Sequence, residues 1–184
     1  MDESVAYYVG SWRRSKFDPS IMPQSLNVDE KTMSVRLSNF DSEFNNLWKF
    51  NYVSSESFFL ELVNPSPIVQ HKFPSNKILF ISNSLSLTDN KAAGLVLSLS
   101  AYQPFRQGPL DISMQLFSQD GFALVSNEQT GRVLLADVSE AEQRVDKEGN
   151  FVMNIAWEAT PDLDEAVQGS IDDVPDWLHE LLIS

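Results

Sequence analysis

At 184 residues the chain is long enough to bury about two-thirds of its unfolded surface in one core, so it needs neither disulfides nor a structural metal to fold. An apolar content of 42%, with twelve phenylalanines and four tryptophans, excludes a mostly disordered chain. The net charge of −13 is uneven: residues 1–136 carry 13 acids and 11 bases, residues 137–184 carry 13 acids and 2 bases. Such a field repels phosphate backbones and anionic lipid, which disfavours nucleic acid and membranes as partners.

In chain order, Asp2 is placed to cap a short helical turn carrying Val5, Tyr8, Val9 and Trp12 at the i, i+3, i+4, i+7 spacing of one helix face. From residue 31 the period changes to two, which sets apolar side chains on one face of a pleated strand. Met33, Val35 and Leu37 alternate with polar residues; so do Trp48, Phe50 and Tyr52, then Phe58, Leu60 and Leu62. The pattern returns at Leu95–Ala101, Leu110–Leu116 and Phe151–Trp157, with shorter segments at 77–82, 121–126 and 131–138. Turn-forming clusters separate them, among them Asn64-Pro65-Ser66-Pro67, Gln107-Gly108-Pro109 and Gln119-Asp120-Gly121. Stretches long enough for the helical crossovers of a parallel sheet are missing from 31–138, so the connections are antiparallel and helices are confined to the ends. Ser139-Glu140-Ala141-Glu142 has the form of a capping box. Thr160-Pro161-Asp162 reads as a helix start, with threonine as cap and proline at the first helical position.

Chemistry is sparse. Cysteine is absent, which removes thiol nucleophiles and thiolate zinc sites. His71 and His179 have no ligand spacing, and no nucleophile elbow, phosphate-binding loop or dinucleotide fingerprint occurs. The strand acids Glu61 and Asp111 would serve as an acid/base pair only inside a hollow barrel. No catalytic residue, cofactor or metal ligand is therefore assigned. With no cysteine, no apolar run near 18 residues and an acidic opening at Asp2-Glu3, the chain is expected to be cytoplasmic, without a membrane span or export signal.

Three segments stand out. Gly10-Ser11-Trp12, ahead of a β-rich body, resembles the Gly-x-Trp opening of lipocalin and fatty-acid-binding barrels. That resemblance implies a tryptophan plugging a closed end and a cavity for a small hydrophobic ligand, for which Trp12, Trp48, Phe50 and Tyr52 are the candidate lining. Trp12-Arg13-Arg14-Ser15-Lys16-Phe17 sets cations beside aromatics, a pairing able to stack on bases or to close against the acidic tail. In the C-terminal segment Asp172, Asp173 and Asp176 precede, and Glu180 falls among, Trp177, Leu178, Leu181 and Leu182. This is the pattern of an acidic amphipathic ligand steered toward a basic groove, or of a helix completing the chain's own core.

Together these readings predict a mainly β fold: an antiparallel β-sandwich or barrel of about nine strands with short N- and C-terminal helices. Residues 1–158 are expected to form the β-rich domain, and 159–184 an acidic helical segment packed on it or extending from it. The expected function is a non-catalytic interaction or assembly module that meets a protein partner, or a second copy, through Trp177, Leu178, Leu181, Leu182, Asp172 and Asp173. One alternative is a carrier or chaperone of a hydrophobic small molecule. Another is a viral or phage accessory protein, a jelly-roll or single-strand nucleic-acid binder with an acidic tail.

Overall fold

The computed structural model describes residues 2–11, 23–40, 44–101, 112–127, 130–138 and 153–162. Each of the nine alternating segments contains strand, and the described residues form thirteen strands in one antiparallel sheet. These are β1 (Tyr7–Ser11), β2 (Gln24–Asp29), β3 (Ser34–Asn39), β4 (Trp48–Tyr52), β5 (Phe58–Leu62), β6 (Ile78–Ile81) and β7 (Leu85–Thr88). They continue as β8 (Leu97–Ala101), β9 (Ile112–Ser118), β10 (Ala123–Asn127), β11 (Val133–Ala136), β12 (Met153–Asn154) and β13 (Trp157–Pro161).

Closure comes from strands that share one edge between two neighbours. Along one edge β1 pairs with β13; along the other, Tyr7 meets Trp48 of β4 while Gly10 and Ser11 meet Ser25 and Gln24 of β2. Likewise β5 meets β8 at Phe58 and β6 at Glu61, and β9 meets β13 at Met114 and β10 at Phe117. The sheet thereby returns on itself through β1–β4–β5–β8–β9–β13, with β1–β4 and β5–β8 each joined by one residue pair. The neighbour order β1–β2–β3–β7–β6–β5–β4 differs from the up-and-down succession of a lipocalin-type barrel.

The β10–β11 turn is fastened to β3 and to the β6–β7 turn. The carbonyl of Gly131 accepts the Leu37 amide at 2.8 Å, the Arg36 guanidinium donates to the Thr130 carbonyl, and Arg132 donates to the Asn83 carbonyl at 3.2 Å. Gly131 has φ +75°, and a Cβ there would lie 2.2 Å from the Leu37 carbonyl oxygen. Only glycine meets both demands.

Several expectations change. Residues 7–11 form a strand: Asp2 does cap a turn, accepting from the Ser4 amide at 2.8 Å, but Tyr7 and Val9 then alternate into the core because three strands supply ladder partners. A helix lies mid-chain, α1 (Pro67–Lys72), capped by Ser66, whose hydroxyl accepts from the Val69 amide, with Pro67 at its start and Val69 buried. The turn residues Ser66 and Pro67 are equally a cap and a first helical position. Thr160 and Pro161 belong to β13, and the ladder continues as the Asp162 amide donates to the Ala6 carbonyl at 2.9 Å. The β structure thus runs past residue 158. The single strand expected over 151–157 is broken after β12, where the Asn154 side chain accepts from the Ala156 amide at 3.0 Å. The break changes the phase, so Ile155 packs with a small outer cluster around Ala123 and Val125 while Trp157 enters the main core. The capping-box segment at 139–142 and residues 163–184 lie outside the described residues.

Candidate functional site

The interior of the ring is where a ligand cavity was expected, and it is lined by the chain's own largest side chains. Alternation along β4 sends Trp48 and Phe50 inward, both fully buried, and leaves Tyr52 half-buried at the rim. Tyr7 packs edge-on against Phe50 with centroids 5.3 Å apart, and Phe50 lies 4.9 Å from Phe58, which Tyr52 meets in turn at 5.4 Å. Such tilted and edge-to-face pairs add about 0.5–1.5 kcal/mol each beyond their burial. The indole N–H of Trp48 donates to the Leu26 carbonyl at 2.9 Å, and that of Trp157 to the Leu124 carbonyl at 2.7 Å. Both polar handles are used inside the fold.

Tyr7 is fully buried and its hydroxyl accepts from the Asp2 amide at 3.3 Å. Burial pushes its ionisation well above the ordinary value of 10, and burial with Glu3 nearby raises Tyr52 in the same direction. The unfolded chain ionises these phenols near pH 10 whereas the fold keeps them neutral, so their contribution is intact below about pH 10 and is lost as pH rises beyond it. Tm should fall between pH 10 and about 12. Tyr7→Phe should flatten that fall in thermal melts followed by circular dichroism.

Beside the aromatic interior, asparagines fasten residues 44–47, which precede β4, to the neighbouring strands. The Asn46 side-chain oxygen accepts from the Val28 amide at 2.8 Å, and the Asn46 amide donates to the Asn27 side chain at 2.8 Å. Asn64 accepts from the Leu47 amide at 2.7 Å and donates to the Asn45 carbonyl at 2.9 Å. The Ser25 hydroxyl donates to Asn45 at 3.0 Å and accepts from Asn27 at 2.9 Å. Side-chain amides here mimic a backbone ladder where the chain is not extended. Periodicity carried no signal for this group; the recurrence of Asn at 27, 45, 46 and 64 was the only one available.

Glu158 points away from Trp157 and Ala159 and is fully buried between register partners Gly10 and Ser113. Glu61 lies on the outer side of β5, half-buried, accepting from Asn51 at 3.1 Å across from Lys49. It does not face the interior. Asp111, Trp12, the basic-aromatic cluster at 12–17, His179 and the proposed contact residues Asp172, Asp173, Trp177, Leu178, Leu181 and Leu182 lie outside the described residues. His71 is exposed in the last turn of α1. Among the described residues no three His, Asp or Glu side chains gather as a metal site, and no helix is long and apolar enough to cross a membrane.

Among the described residues, the large apolar side chains that remain exposed are Phe44, Val53, Val63, Ile68 and Phe122. Val53 lies in the β4–β5 turn and Phe122 in the β9–β10 turn, whereas Phe44, Val63 and Ile68 belong to the segments tied together by Asn45 and Asn64.

No family model, curated protein or solved structure matches this chain.

Proposed function

We propose that the protein is a cytoplasmic, non-catalytic interaction or assembly module whose acidic C-terminal residues contact a partner protein. The observation that carries this reading is the aromatic packing inside the ring: Trp48, Trp157, Tyr7, Phe50 and Phe58 are all fully buried, and the first three direct their polar atoms to the chain's own backbone. An interior occupied in this way favours recognition at the surface over carriage of a hydrophobic ligand within. The stretch of sequence with the strongest chemistry for recognition is the C-terminal segment, where aspartates precede tryptophan and leucines. Each of those apolar side chains gains about 1.5–3 kcal/mol on burial, and the acids steer them toward a cationic groove.

Deletion of residues 170–184 tests the reading. Partner capture by the full chain is expected to disappear on deletion, with Tm lowered by no more than about 5 °C. A cooperative melt displaced by much more than that would assign the segment to the folded body, and capture that survives deletion would remove it as the contact region.

A further inference from the structure

We propose that Lys77, just before β6, is a docking point for a carboxylate side chain of a partner protein. The inference goes beyond the acidic C-terminal contact, because the residues that carry it lie in the β body.

Register fixes where this lysine sits. The Leu62 amide donates to the Lys77 carbonyl at 2.8 Å and Glu61 pairs with Ile78, so Lys77 stands across from Leu62, two residues before Leu79. Positions related in this way share one face of a sheet, and Leu62 and Leu79 both belong to the main core. Glu61 and Ile78 take the other face. Among the described residues Lys77 is the one lysine or arginine that is buried, with 7% of its surface exposed, whereas Lys31, Arg36, Lys49, Lys72, Lys91 and Arg132 are exposed.

Its charge has no counterpart in the described fold. Among the described residues, nothing accepts a hydrogen bond from the ammonium or forms an ion pair with it. Asp89 follows Thr88, the partner of Ile78, and so continues the register opposite Lys77, yet it is exposed and the two side chains are not joined. From Leu62 to Thr88 the sequence holds no Asp or Glu. Withdrawing a cation from water is costly unless an anion meets it, so the missing half of the pair is an anionic group delivered from outside. Apolar neighbours at Leu62 and Leu79 lower the local dielectric, which strengthens such a pair once it forms.

The interior beside the lysine is already filled. Trp48, the register partner of Leu62, is fully buried there, and Val69 of α1 packs into the same cluster. A glutamate or aspartate side chain reaching in from a protein surface brings the charge and leaves its own bulk outside.

The probe is a blocked peptide, acetyl-Leu-Glu-Leu-amide, titrated into the full chain and followed by the amide resonance of Leu62. That resonance should move and saturate, and the glutamine counterpart of the peptide should bind at least about tenfold more weakly. Lys77→Met keeps the apolar stem and removes the charge, and should weaken binding of the glutamate peptide by about tenfold; Lys77→Gln supplies the same readout should the methionine variant fold poorly. Equal binding of the two peptides, unchanged binding by both variants, or no saturable movement in the parent chain at about 10 mM peptide overturns the proposal. Hexanoate that binds as tightly as the glutamate peptide would assign the site to a free small carboxylate and overturn the protein partner.

Discussion

Gly10→Ala is expected to destabilise the protein by about 3 kcal/mol or more, at or beyond the upper end of ordinary overpacking, and to lower Tm by about 10 °C. A Cβ at Gly10 would lie 2.1 Å from the Gln24 carbonyl oxygen and 2.7 Å from the Ser25 Cα. Both are backbone atoms of β2, so no side chain can turn aside to make room. Relief requires β1 and β2 to part, and β1 is the strand on which β13, β2 and β4 all depend. Gly121→Ala is the control. A Cβ there meets nothing within 4 Å, and its φ of +85° should cost only about 1–2 kcal/mol. Equal melting temperatures for the two variants would refute the close approach of β1 and β2.

Trp48→Ala is expected to cost about 3–5 kcal/mol, because a fully buried indole leaves a cavity that the surrounding sheet cannot collapse to fill. Trp48 touches the structure at two levels. Its ring packs in the central cluster and pairs in register with Tyr7 and Leu62, while its N–H satisfies the Leu26 carbonyl. Trp48→Phe separates them: most of the apolar volume is kept, and the loss should shrink to about 1–3 kcal/mol, the cost of an orphaned buried carbonyl. Equilibrium urea unfolding reads both values. A Phe variant as unstable as the Ala variant would mean that the hydrogen bond, and not the packing, dominates at this position.

Both variants act on elements that alternation made visible to different degrees. The β4 and β5 segments have apolar residues at every second position over five residues, and their pairing in register from Trp48↔Leu62 to Tyr52↔Phe58 follows from burying that face. β7 has only Leu85 and Leu87 to mark it, and β2 only Leu26 and Val28, set among serines and asparagines. Such short runs resemble loops until a neighbouring strand supplies hydrogen bonds. β1 was obscured for another reason: Val5, Tyr8, Val9 and Trp12 satisfy a helical spacing as well as Tyr7 and Val9 satisfy a strand. Ladder partners on both edges decided between them.

What the sequence determined by itself was the class of the fold and the sign and place of the charge. A period of two with turn residues between the runs commits the chain to antiparallel strands, because no other element buries every second side chain. The clustering of acids after residue 136 needs no coordinates either. Tertiary structure alone decided how the sheet closes, since alternation says which face is buried and is silent about which strand lies alongside. It also decided that Gly10 lies under the β2 backbone and that asparagines 27, 45, 46 and 64 replace a missing stretch of ladder. Those facts depend on residues far apart in the chain, which come together only when non-local pairing has been made.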